Sequence, residues 1–136
     1  MYHLNDDIFE ERFRNCSLEP SLFTHEAHLR LAYIHIRKYG EDKAIQNLCL
    51  QIAIYDRTHD EGKKFHHTIT VVAVKIVYHF IRKSRTRSFR TFLTEFPQLN
   101  TNFRGLVSQH YSIDLFKHPT ARIAYIEPDL KPFGRK

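Results

Sequence analysis

Ten of the 136 residues are histidine, and imidazole is the side chain best suited to metal ligation and to proton transfer near neutral pH. Position selects three of them. His25 and His28 stand at an i, i+3 interval, and His66 opens a later apolar stretch. Three neutral imidazoles that leave one coordination position open suit a divalent transition metal such as Zn, Fe, Ni or Mn, with a bound water as the reactive group. Without a metal, the same rings can act as acid and base, or line a pocket for a phosphate or carboxylate. His59, Asp60, His67 and Thr70 are further candidates for the same site. His25-Glu26-Ala27-His28 is one residue short of the H-E-x-x-H zinc-protease pattern, and on a helix its Glu points away from the pair.

These side chains act together only if the chain's elements bring them to one place. The spacing predicts helices over residues 5 to 15, 24 to 39, 41 to 58, 66 to 83, 88 to 96 and 100 to 109, with a loop at 16 to 23. Thr24 is a natural N-cap and Gly40 a natural C-terminal stop. Residues 66 to 83 are rich in Val and Ile, which favours a strand, but their polar residues group at about 100° per residue, which favours a helix. Ser112 is read as the cap of one more short turn, and residues 118 to 136, with Pro119, Pro128 and Pro132, as an irregular tail. The fold class expected is all-α: one domain over 1 to 136, a bundle of about five to six helices.

Helical wheels then orient the candidates. On 24 to 39, Glu26, Arg30, Tyr33 and Arg37 share the face assigned to water, while His25, His28, Leu31, Ala32, His35 and Ile36 share the inner one. On 66 to 83, Thr68, Lys75 and His79 are placed outside, His66 inside with Thr70, Ala73 and Val77, and His67 at the edge. Consecutive helices with short turns pack up, down, up. The N-termini of the second and fourth helices therefore meet at one end, and His59 and Asp60, ending the helix between them, return there. His35 lies roughly two turns deeper and reads as core, Cys49 as a small hydrophobe, and His3, His79, His110 and His118 as surface or loop residues.

Composition sets outer limits. Four Gly and five Pro exclude low-complexity architecture, and no apolar run approaches the ~18 residues of a membrane span, so no membrane partner is expected. The polar, acidic opening is unlike a signal peptide, and Cys16 and Cys49 form no metal or redox spacing, so the expected location is cytoplasmic. A formal net charge of +6 and the cations Arg82, Lys83, Arg85, Arg87 and Arg90 give a second candidate surface, suited to nucleic acid or a protein partner. Phe89, Phe92, Phe96 and Phe103 recur at helical spacing and read as core rather than as a base-stacking platform.

Phe23-Thr24-His25-Glu26-Ala27-His28-Leu29, Phe65-His66-His67-Thr68-Ile69-Thr70, Tyr111-Ser112 and Glu127-Pro128-Asp129-Leu130 together resemble a family of small bacterial proteins with an early F-x-H-x-x-H-L, a central Y-H-E-T-x-T and an E-P-D-L-like end. The likeness spans about 22 to 130. It implies that His25, His28 and His66 belong to one pattern, but no reaction, since the family has no assigned activity. Phe65 stands where the family has Tyr and His67 where it has Glu, so whatever that Glu supplies is here absent or replaced by imidazole.

Two function classes follow. One is a metal- or histidine-dependent enzyme acting on a small anionic molecule through His25, His28 and His66. The other is a non-enzymatic helical module that binds through the basic surface at 82 to 90.

Overall fold

Most of the longer helices begin where a side chain satisfies their first amides. The computed structural model describes residues 4–134. In it Asn5 accepts from the Ile8 amide at the head of α1 (Asp6–Arg14). Thr24 does the same for Ala27 at α2 (His25–Tyr39), and Ser88 for Thr91 at α5 (Phe89–Glu95). Such caps contribute about 1 kcal/mol each. Gly40, at φ +88°, ends α2 in a conformation that side chains disfavour, and α3 (Glu41–Asp60) starts directly after it. His66 caps α4 (His67–Lys83) with its ring, so it precedes the helix it was expected to open. The Val- and Ile-rich segment is thus helical.

α2, α3 and α4 each pack on the other two, the up, down, up arrangement that short turns predict. Three short helices follow α5: α6 (Gln98–Thr101), α7 (Phe103–Ser108) and α8 (Pro119–Ile123). With 3-10 turns at Pro20–Leu22 and Leu115–Lys117, the described residues form eight helices and no strand. The segment expected as one helix over 100 to 109 is broken at Asn102, whose φ of −146° is not helical and whose side chain lies where a Cβ on residue 105 would stand, a place only Gly105 leaves open.

Three expectations about exposure are corrected. First, α2 has no watery face along its centre: Leu29 to Ile36 are all buried. Arg30 is 3% exposed. Its guanidinium donates to the Leu4 carbonyl at 2.6 Å and to Asp6 at 3.0 Å, and lies 4.3 Å from the Phe9 ring centroid. Tyr33 packs its ring against Phe89 and Phe92. A wheel assigns charged residues to water, but a long side chain with a fixed charge partner can bury its stem under a neighbouring helix. Second, His25 is exposed rather than turned inward. Third, Thr68 is fully buried, because the chain after α8 returns over it.

That return also corrects the irregular tail. Pro119 sits in the first turn of α8, where its fixed φ suits a helix start, and the His118 ring accepts from the Ala121 amide as its cap. Beyond α8, Thr68 Oγ1 donates to the Ala124 carbonyl at 2.9 Å and accepts from the Ile126 amide at 3.3 Å. The Ser112 hydroxyl and amide bind Asp129 rather than capping a turn, a task that falls to Asp114. Thr68→Val keeps the shape and removes both tethers. It is expected to lower unfolding free energy by about 1–3 kcal/mol in chemical denaturation, with faster hydrogen exchange at the Ile126 amide. Unchanged exchange there would show that the hydroxyl does not hold the tail. His79 is exposed, as expected, and His35 is wholly buried. His3 lies outside the described residues.

Candidate functional site

Three apolar stripes meet at the end of the bundle where α2 and α4 begin and α3 finishes. They are His25, His28, Leu29 and Ala32 on α2; Leu48, Ile52, Tyr55 and Asp56 on α3; and Ile69, Thr70, Ala73 and Val74 on α4. Each repeats at three- and four-residue intervals, the spacing of one helix face. They enclose a cavity of about 430 Å³, whose rim includes Phe23, Phe65, Phe103 and Phe116. The volume falls within the range of small-molecule sites.

The expected histidines reach this cavity in different states. His28 donates from Nδ1 to the Thr24 carbonyl at 2.9 Å, and its ring stacks on Phe23 with centroids 3.9 Å apart. A carbonyl only accepts, so Nδ1 carries the proton and Nε2 keeps its lone pair. Burial pushes the imidazole down to about 4, with the nearby His25 adding to the fall and the Thr24 carbonyl opposing it. His28 is therefore a neutral acceptor at pH 7. His25 reaches the Leu99 carbonyl through Nε2 at 3.1 Å. His59 reaches the Cys16 carbonyl through Nε2 at 2.8 Å.

His66 differs. Its Nδ1 accepts from the Ile69 amide at 3.1 Å, and its Nε2 donates to the Leu115 carbonyl at 2.7 Å. Both nitrogens are committed to backbone. Burial holds this ring below the usual imidazole range, the Arg122 charge adding to the effect and the Leu115 carbonyl opposing it. His66 thus starts α4 and ties it to the turn at Leu115–Lys117. Thr70 donates to the His66 carbonyl at 2.8 Å, and Asp60 faces Lys64 at 3.9 Å; both line the cavity. His67 does not, and turns its ring edge-on to Phe65.

The cavity thus gathers His25, His28, His59, Asp60, His66 and Thr70, and leaves out His67. Among the described residues, no three His, Cys, Asp or Glu side chains are grouped to hold a metal ion. With both nitrogens of His66 engaged, the donor set does not fit a three-histidine centre. Cys49 offers no nucleophile either, since burial pushes its thiol up to about 11.

Asp56 is the site residue the spacing should have disclosed. Leu48, Ile52 and Asp56 follow at i, i+4, i+8, which sets a carboxylate in the register of buried residues. It is 5% exposed. Oδ2 accepts from the amides of Lys64 at 2.9 Å and Phe65 at 2.7 Å, fixing the turn into α4, while Oδ1 is buried without a partner. Arg122 steadies the same turn from outside, donating to the carbonyls of Gly62, Lys63 and Phe65.

The basic surface is remote. Arg82 and Lys83 end α4, about 24 Å along its axis from His67 at 1.5 Å per residue; Arg85 and Arg87 lie in the connection to α5, and Arg90 in its first turn. All five are exposed. The connection is a folded one, with the Ser84 hydroxyl and the Arg85 amide both donating to Glu95. No helix among the described residues is long and apolar enough to cross a membrane. No family model, no curated protein and no solved structure matches the chain.

Proposed function

We propose that this protein binds a small, largely apolar molecule in the cavity between α2, α3 and α4, and that neutral His28 accepts a hydrogen bond from a donor on it. The single observation that carries the reading is the half-open imidazole: one nitrogen of His28 is fixed by the Thr24 carbonyl and the other is left as a lone pair on the wall of a roughly 430 Å³ apolar cavity. A hydrogen bond made there contributes about 0.5–1.5 kcal/mol net, which a ligand that supplies the donor gains together with the apolar contact. With its proton affinity pushed down to about 4, His28 is suited to accept a hydrogen bond from the ligand rather than to take its proton. His66 serves as the fixed post of the site rather than as its reagent.

Two-dimensional NMR titration with phenethyl alcohol tests this. Saturable shifts are expected at Leu29, Ile52, Ile69 and Ala73. His28→Leu is expected to weaken binding of the alcohol about tenfold while leaving ethylbenzene, which lacks the hydroxyl, unaffected. Absence of saturable shifts at these residues would overturn the reading. The alternative, nucleic-acid binding through Arg82, Lys83, Arg85, Arg87 and Arg90, has less support. Those cations share their turn with Glu95, and the aromatic within the run, Phe89, is buried and offers no face for a base.

A further inference from the structure

The polar atoms on the cavity wall are nearly all of one kind. His28 offers the Nε2 lone pair, while the exposed His25 and His59 each spend an Nε2–H on a backbone carbonyl. Thr70 and Tyr55 donate their hydroxyl protons away, to the carbonyls of His66 and Leu18, and turn only oxygen lone pairs elsewhere. Asp56 adds a carboxylate to the lining, its Oδ1 buried and unpartnered just behind the surface, and Asp60 a second carboxylate at the rim. The one cationic side chain among the lining residues is Lys64, which is 80% exposed and faces Asp60. An anion entering here would meet lone pairs and carboxylates and find almost no donor. A cation would find acceptors, a buried negative charge, and the rings of Phe23, Tyr55, Phe65, Phe103 and Phe116, whose π faces favour ammonium groups.

Resting on the reading of this cavity as a ligand site, we propose that its ligand is an amphipathic amine: an apolar, aromatic-sized body carrying a protonated primary or secondary amino group that Asp56 Oδ1 receives. The backbone amides of Lys64 and Phe65 already hold Oδ2, so the carboxylate is pre-oriented and the ligand's ammonium completes it. Hydrogen bonds to a charged group are about twice as strong as neutral ones, and the low-polarity surroundings strengthen this pair further. The chain's overall charge of +6 opposes a cation only through a field that salt screens within about 8–10 Å, so the local carboxylate decides.

The test is NMR titration of the full chain with three probes of similar size: phenethylamine, phenethyl alcohol and phenylacetate. Phenethylamine is expected to bind at least about tenfold more tightly than the alcohol, and phenylacetate most weakly. In Asp56→Asn the amide oxygen can keep the Lys64 and Phe65 amides while an NH₂ replaces Oδ1, so the amine's advantage is expected to vanish while the alcohol still binds. Equal binding of amine and alcohol to the unaltered protein, or tightest binding of phenylacetate, would overturn the amine proposal and leave the binding site standing. An advantage of the amine that persists in Asp56→Asn would overturn the role of Asp56. Binding of none of the three would overturn both this proposal and the cavity's function. The comparison within the unaltered protein decides ligand class even if Asp56→Asn fails to fold.

Discussion

Ala73→Phe is expected to abolish ligand binding, with a loss of at least about a hundredfold (~2.8 kcal/mol), while the protein stays folded. Ala73 lines the cavity from α4, one turn beyond Ile69 and Thr70, so a benzyl group there occupies the volume a ligand would use. In a filled core such an enlargement costs about 1–3 kcal/mol through forced rotamers and backbone shifts. Here the ring enters existing space, so the stability change should stay within about 1 kcal/mol of zero, and burial of the added apolar area pushes it toward stabilisation. Isothermal titration with the best-binding phenethyl probe, beside chemical denaturation, reads both quantities. Retained affinity would place the ligand elsewhere. Large destabilisation would mean that the cavity closes in solution.

Stability is expected to fall as the medium is acidified from pH 6.5 toward pH 4, with His28 contributing about 3 kcal/mol of the loss. The sign follows from proton uptake. In the folded protein His28 stays neutral down to about pH 4, whereas in the unfolded chain it takes a proton near 6.5. Between these values the unfolded state binds more protons, so unfolding becomes easier as pH drops; above 6.5 the contribution is complete, and below about 4 it is gone. His35, His66 and His79 are displaced in the same direction, chiefly by burial, and add to the slope. His28→Gln should flatten the curve by its share when denaturation midpoints are measured across this range. A variant curve parallel to that of the unaltered protein would show that the ring is hydrated and protonates freely.

What was legible in the sequence is whatever helical period and caps control. The three cavity-lining stripes are local patterns, Thr24 and Gly40 mark the bounds of α2, and short turns force α2 and α4 to begin at the same end. These features suffice to bring His25, His28, His59, Asp60, His66 and Thr70 to one cavity. What was not legible depends on partners distant in the chain. His66 looks like a free inward imidazole until Leu115, 49 residues later, takes its second nitrogen. Thr68 looks solvated until Ala124 and Ile126 cover it. Arg30 and Tyr33 fall on the charged side of a wheel, yet α1 and α5 cover that side. His66 stands just before α4 with an extended backbone and His67 is the helix's first residue, so the two side chains diverge and only His66 lines the cavity. Phe103 and Phe116 join the rim from short helical pieces whose docking no local pattern encodes.

Ligand binding in the cavity is seen directly in a crystal of the protein soaked with para-bromophenethyl alcohol, with the anomalous signal of bromine locating the ligand. A bromine peak is expected inside the cavity bounded by Phe23, Leu29, Ile52, Ile69 and Ala73, with the hydroxyl within hydrogen-bonding reach of His28 Nε2. A cavity closed by its own side chains, or bromine bound only on the outer surface, would contradict binding in the cavity.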